Sequence, residues 1–167
     1  DSLLLNRGDP KAQRLAPGGY QWTEWKWIYN TNAARPVSVN LSVSTGGLWS
    51  GTQNTIHTTM TIRPTYRLRM SAGVQHTSAK LDRPQQQFDA TVWTGRANYS
   101  FNTKMFLDAL AQYDAAIKQF NTNVRFNVIH HPLSDLFIVL NEQRFTTSDA
   151  PVPGRSVVVK FTQMVAF

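Results

Sequence analysis

The chain contains no cysteine among its 167 residues. This excludes disulfide frameworks, thiolate zinc sites and cysteine nucleophiles. It also lacks any apolar run that approaches the roughly 20 residues of a membrane-spanning helix. The sequence opens at Asp1 without methionine or a visible signal peptide, so we expect a processed chain or a fragment.

Acidic residues are few, with 10 Asp and Glu against 17 Lys and Arg, for a net charge of +7. A basic balance suggests nucleic acid, anionic lipid or acidic polysaccharide as partners. The basic residues stand singly among apolar ones, whereas nucleic-acid arms carry runs of basic residues. Nucleic acid is therefore not expected as a partner. The mean hydropathy of −0.34 suits strands with one polar side.

Most of the chain alternates between apolar and polar residues. Residues 37–44 read VSVNLSVS, with four apolar side chains on one parity and four small polar ones on the other. Such alternation predicts a strand with two unlike faces. The pattern recurs around residues 24–29, 66–75, 93–101, 124–128 and 157–167.

Turn signals between these runs predict roughly nine strands of about 8–14 residues each. That length suits a tilted membrane strand, which needs about 9–11 residues. Residues 1–18, which contain Gly8, Pro10, Pro17 and Gly18, are expected to form an irregular lead-in. Residues 19–167 are expected to form the strands.

Residues 104–119 fit two structures. As a helix, the segment has good helix formers and an apolar stripe. As a strand, it has apolar residues on one parity and polar residues on the other. The helical stripe consists of Phe106, Ala109, Leu110, Tyr113 and Ile117. The strand alternation places Met105, Leu107, Ala109, Ala111, Tyr113, Ala115 and Ile117 on one side. The pattern alone does not decide between them.

Many strands in series predict a sandwich or a closed barrel, and alternation serves both. Aromatic residues near strand ends favour a membrane barrel, in which they form interfacial girdles. They are Tyr20, Trp22, Trp49, Tyr66, Phe88, Tyr99, Phe101, Phe120, Phe145 and Phe167. The last run ends on Phe167, typical of the terminal aromatic that acts as an assembly signal in outer-membrane barrels. The predicted fold is an all-β, antiparallel up-and-down transmembrane β-barrel, or part of a larger one.

The last part of the chain resembles a known family. The residues that carry the resemblance are FNTK at 101–104, QY at 112–113, NVRFN at 123–127, PLSDLF at 132–137, NE at 141–142 and VKFT at 159–162. GGLWSGT at 46–52 and Arg63-Pro64 add to it. This region is similar to the C-terminal barrel of the DUF5916 family, bacterial envelope proteins in which a domain similar to carbohydrate-binding family nine precedes a long β-barrel.

The resemblance implies that residues 104–119 form a strand and that the chain is part of a larger barrel. The carbohydrate-binding-like domain has no counterpart in this sequence, so a sugar function is not carried over from it. The resemblance also implies a bacterial outer-membrane location. The expected partners are outer-membrane lipid, the barrel assembly machinery and the remainder of a larger barrel or other envelope proteins.

Few residues suggest chemistry. Residues 130–135 (HHPLSD) contain His, Ser and Asp, but Ser and Asp are ordinary turn residues. The four histidines lack the spacing of a zinc helix. No glycine-rich phosphate loop or cofactor fingerprint occurs. We therefore expect no catalytic residues, no metal and no cofactor.

Charged residues of a barrel lumen are the most plausible functional residues. A basic lumen wall would favour anions if a channel is open, whereas pairing of these arginines with the carboxylates would plug it. The candidates are Arg67, Arg69, Arg96, Asp108, Asp114, Lys118, Arg125, Glu142 and Lys160.

Two functions stay open. The first is an integral outer-membrane barrel segment with a structural or transport role. The second is a soluble β-sandwich or barrel that binds glycans through exposed tryptophans. The motive for the second is the presence of five tryptophans without an active site. They are Trp22, Trp25, Trp27, Trp49 and Trp93.

Overall fold

The computed structural model describes residues 19–82, 85–131, 134–147, 152 and 154–163. Within them the chain forms nine strands. They are β1 (Glu24–Asn30), β2 (Val37–Leu48), β3 (Gly51–Thr65), β4 (Leu68–Asp82), β5 (Gln85–Asn102), β6 (Met105–Asp114), β7 (Gln119–His131), β8 (Ser134–Phe145) and β9 (Gly154–Thr162). The predicted lead-in 1–18 and the predicted assembly signal Phe167 lie outside the described residues.

The strands form a single antiparallel sheet in which each strand pairs with its neighbours in sequence, from β1 to β9. The predicted all-β, up-and-down arrangement is confirmed. The sheet is not closed, and β1 and β9 form its two edges within the described residues. None of the described residues belongs to a helix long and apolar enough to cross a membrane.

The ambiguous segment 104–119 forms strand β6 and a turn. Pairing with β5 on one side and β7 on the other satisfies the backbone hydrogen bonds of residues 105–114. This pairing overrides their helix propensity. The strand ends at Asp114, whose Oδ1 accepts hydrogen bonds from the N–H groups of Ala116 at 2.9 Å and Ile117 at 3.4 Å. The alternation expected up to Ile117 therefore stops three residues earlier, at Asp114.

Side-chain oxygens also shape other connections. Thr65 Oγ1 accepts from the N–H groups of Arg67 at 3.3 Å and Leu68 at 3.2 Å. Asn102 Oδ1 accepts from the Lys104 N–H at 2.8 Å. Short polar side chains that bond the backbone a few residues on favour turns over ladder pairing. These contacts end the strands and make the hairpins short.

The described residues build almost no apolar core. Only Ala79 and Leu81 are both apolar and buried, with exposures of 1% and 0%. A sheet normally buries one apolar face against a second layer. No second sheet or helix is formed by the described residues, so neither face of the sheet is covered by a second layer of them.

One test of this register uses two glycines. A Cβ on Gly51 would overlap the Lys80 carbonyl oxygen across the β3–β4 pairing, whereas a Cβ on Gly95 meets nothing within 4 Å. We expect Gly51→Ala to lower the free energy of unfolding by about 2 kcal/mol or more, because strand backbone must shift. Gly95→Ala is the matched control and should change it by less than about 0.5 kcal/mol. Urea unfolding measures both, and equal midpoints for the two variants would contradict this register.

Candidate functional site

The pairing register sorts the side chains into two faces. Residues directly opposite each other on neighbouring strands share a face, and successive residues alternate between faces. We call one the polar face. It carries Ser38, Asn40, Ser42 and Ser44 of β2, Thr55, His57, Thr59 and Thr61 of β3, Arg69, Ser71, Gly73 and Gln75 of β4, Thr94, Arg96 and Asn98 of β5, Asp108 and Gln112 of β6, and Asn121, Asn123 and Arg125 of β7.

The opposite side is the apolar face. Its large side chains are exposed on strands at both edges and in the middle of the sheet. The exposed ones are Trp25, Trp27, Tyr29, Val37, Ile56, Met60, Met70, Trp93, Phe120, Ile138, Val157, Val159 and Phe161. Between residues 37–43, 56–62, 68–74, 93–99, 105–113 and 120–128 this face has no charged side chain.

Aromatic residues mark two borders of the apolar face. At one end, Trp93 lies opposite Tyr113, which lies opposite Phe120. At the other end, Phe101 packs edge-on against Tyr99 at 4.8 Å and Phe126 at 6.1 Å between ring centres. Trp93 and Phe101 both belong to β5 and stand about 27 Å apart along the strand at about 3.4 Å per residue.

The two faces exchange polarity beyond the Trp93 border. There the positions that continue the apolar face carry polar and charged residues. They are Asn54, His76, Ser78, Lys80, Asp82, Thr91 and Asp89. On the other side, Ala79 and Leu81 are the two buried apolar residues. The ends of β4 and β5 therefore extend past the apolar band, and there the side that continues the apolar face is polar.

The structure divides the nine charged candidates among three locations. Six lie on the polar face, and they are Arg69, Arg96, Asp108, Asp114, Arg125 and Lys160. Arg67 and Lys118 lie in the turns that follow β3 and β6. Glu142 lies on the apolar face, opposite Thr122 of β7. The nine residues therefore do not line one wall.

The three candidate carboxylates have partners other than the candidate arginines. Asp108 accepts a hydrogen bond from the Asn98 side chain. Asp114 bonds the backbone of its own turn. Glu142 pairs with Arg155 of β9 at 3.1 Å. None of these contacts is the carboxylate–arginine pairing that the alternative of a plugged lumen required.

Arg69, Arg96 and Arg125 remain without such a partner. None of the three guanidinium groups forms a hydrogen bond or an ion pair with a described residue, although Arg125 faces Asp108 in the register. Arginine is charged at any physiological pH. The middle of the polar face therefore carries three guanidinium groups that form no ion pair with a described residue.

Two concavities occupy the polar face. The first, of about 510 Å³, is the arginine pocket, and it includes Arg69, Arg96, Thr59, Thr61, Ser71 and Gly73. The second, of about 460 Å³, is the amide pocket, and it includes Gln112, Asn121, Asn123, Asn141, Gln143 and Ser156. The hydroxyl and amide residues were not among the predicted site residues. Their shared parity with the charges was the available signal.

A ladder of side-chain hydrogen bonds crosses the amide pocket. The Asn123 amide donates to Asn141 Oδ1 at 2.5 Å, and the Asn141 amide donates to Ser156 Oγ at 3.3 Å. The ladder ties β7 to β8 and β8 to the edge strand β9. The lining of this pocket also includes the ion pair between Glu142 and Arg155.

The residues considered for catalysis do not converge. His130 stacks on Phe161 at 5.5 Å on the apolar face. Asp135 lies on the polar face, opposite Ile129 and Thr162. A triad needs its members on one side of the chain. Among the described residues, no three His, Asp or Glu side chains gather as metal ligands would.

No protein-family model matches the chain, and no curated protein or solved structure matches it significantly. The resemblance to the DUF5916 family therefore stays a prediction that rests on the residues quoted for it.

The amide ladder can be tested at its centre. Asn141→Ala removes both contacts and leaves the Asn123 amide without its acceptor, so we expect a loss of about 1 kcal/mol in unfolding free energy. Ser156→Ala removes only the longer contact and should cost less. Faster hydrogen exchange of β9 amides in Asn141→Ala is the second readout. A β9 exchange rate unchanged from the parent chain would contradict a role of the ladder in holding the edge.

Proposed function

We propose that this chain is an integral segment of an outer-membrane β-barrel, with a structural or transport role in the Gram-negative cell envelope and without catalysis. One observation carries the proposal. The sheet is a single layer whose apolar face is exposed, while only Ala79 and Leu81 are buried apolar residues among those described. A sheet of this kind needs a cover for that face.

The free energy involved is large. Each half-exposed Trp, Phe, Ile, Val or Met side chain on the apolar face gains about 1 kcal/mol when it leaves water. Over the exposed side chains of this face, the total gain is on the order of 10 kcal/mol. That is comparable to the whole stability of a typical domain. Large contiguous apolar patches of this kind occur at protein interfaces or in membranes.

Three features favour lipid as the cover. The band between the aromatic borders has no charged side chain on β2 to β7. Its extent along β5, about 27 Å, corresponds to a height of about 21 Å at a strand tilt of about 40°, which is comparable to the ~25 Å band of membrane barrels. Aromatic residues such as Trp93 and Phe101 stand at both borders, as interfacial girdles require.

The free edges extend the proposal. Unpaired backbone N–H and C=O groups of β1 and β9 cannot remain in hydrocarbon, because no water is there to bond them. Both strands are exposed along their whole length. We infer that further strands pair with these edges and close the barrel. The remainder of a larger barrel or another envelope protein would supply them, and assembly would involve outer-membrane lipid and the barrel assembly machinery.

Cysteine labelling tests the proposal cleanly, because the chain has no native cysteine. Thr59→Cys and Met60→Cys place a thiol on the polar and the apolar face of β3, and Ser71→Cys and Ala72→Cys do the same on β4. In lipid vesicles, we expect a water-soluble maleimide to react with the polar-face thiols at least about tenfold faster. The described strands leave Met60 and Ala72 exposed, so slow labelling at these two positions would be due to a lipid cover.

The control is a lipid-soluble maleimide, which should label the Met60 and Ala72 positions in the same vesicles. If the water-soluble reagent labels both faces equally in folded protein, lipid does not cover the apolar face and the proposal is wrong.

A glycan-binding module is the second candidate. Trp25, Trp27 and Tyr29 lie on one face of the edge strand β1, and all three are more than half exposed. Such a row could stack on sugar rings. The described strands form one sheet, so they do not make the sandwich considered for this function. Glycan binding by the water-soluble chain that is lost in Trp25→Ala and Trp27→Ala would favour this candidate.

A further inference from the structure

The arginine pocket brings two cations together on adjacent strands. Arg69 of β4 pairs in register with Asn98 of β5, and Arg96 of β5 pairs with Ser71 of β4. The two arginines are therefore diagonal neighbours on the polar face. Diagonal positions of an antiparallel pair are about 7–8 Å apart, which lets two long side chains reach one ligand.

Neither arginine of this pocket has a carboxylate as a direct partner. The side chains that line it include no Asp or Glu. Neither guanidinium group bonds a described residue, and Asp108, which lies opposite Asn98 on the same face, forms no ion pair with either arginine. Two like charges at this spacing repel each other, so a ligand of opposite charge relieves an unfavourable interaction.

The floor of the pocket offers neutral donors. Thr59, Thr61 and Ser71 present hydroxyl groups on the same face. Gly73 lies directly opposite Thr59, and an added Cβ there would stand 2.9 Å from Thr59 Oγ1. The absent side chain at Gly73 makes room for the Thr59 hydroxyl, and hydroxyl donors around two guanidinium forks suit a tetrahedral or planar oxyanion.

We propose that Arg69 and Arg96, with the hydroxyl groups of Thr59, Thr61 and Ser71, form a binding site for an oxyanion of the phosphate class. The guanidinium groups bind its oxygens by charge-assisted hydrogen bonds, and the hydroxyls complete its coordination. The site does not depend on what covers the apolar face, because it lies on the opposite side of the sheet. If the barrel proposal also holds, this site lies on the wall of the lumen.

The test uses inorganic phosphate as the probe. The folded 167-residue chain is titrated calorimetrically at low ionic strength, where exposed charges are least screened. We expect saturable binding by the parent chain and a loss of about tenfold or more in affinity for Arg69→Gln and for Arg96→Gln. Arg144→Gln is the matched control. It removes the same charge from the other face of the sheet, where Arg144 lies opposite Phe120, and binding should stay within about twofold.

Two further variants separate binding from folding and from net charge. Arg96→Lys keeps the charge but loses the fork, so its affinity should lie between those of the parent and Arg96→Gln. Gly73→Ala crowds the Thr59 hydroxyl without a charge change and should also weaken binding, whereas Gly95→Ala, which has open space on the apolar face, should not. Circular dichroism verifies the sheet in each variant.

The proposal is overturned if the folded parent chain binds no phosphate. It is also overturned if Arg144→Gln weakens binding as much as Arg69→Gln and Arg96→Gln do, because the effect would then be one of net charge. Neither result depends on membrane insertion, so the outcome is separate from that of the labelling experiment.

Discussion

The whole arrangement depends on the register of eight antiparallel strand pairs. Because side chains alternate with a period of two, a slip of one residue in any pair would move a strand's polar residues to the apolar face. The observed register instead keeps Trp93 beside Tyr113 and Arg96 beside Ser71. Both the uncovered apolar band and the arginine pocket exist only while that register holds.

The two faces impose different requirements. The apolar face lacks a second layer, so its stabilisation depends on something outside the described residues. The polar face carries Arg69, Arg96 and Arg125 without carboxylate partners, because Asp108 and Asp114 are held locally and Glu142 pairs at the far edge. Lipid on one side and a bound anion on the other would satisfy both requirements.

Much of the fold could be predicted from the sequence, because a period of two is a direct consequence of strand geometry. The number of strands and their antiparallel order followed from alternation and turn residues. Residues 104–119 were ambiguous because their helix propensity opposes their alternation. Pairing with β5 and β7 decides in favour of a strand for residues 105–114, and such long-range contacts are not visible in a local pattern.

The candidate site was less predictable. Local hydrogen bonds decide where a strand ends, and the register decides on which face of the sheet a side chain lies. Arg67 lies in the turn that Thr65 Oγ1 shapes, and Lys118 lies in the turn that Asp114 begins, so neither belongs to a strand. Glu142 follows the polar-face residue Asn141 and so points to the other side. That these arginines lack ion-pair partners is visible only from side-chain positions, which the composition does not give.

Membrane partitioning tests the central claim most directly. The chain is expressed, the membranes of the expressing cells are extracted with carbonate, and samples are run on gels with and without heating. We predict that the chain stays in the membrane fraction, and that together with the strands that close the barrel it migrates faster when unheated. Recovery of the chain as a soluble, folded monomer without detergent would contradict the account, because the apolar face would then have no lipid cover.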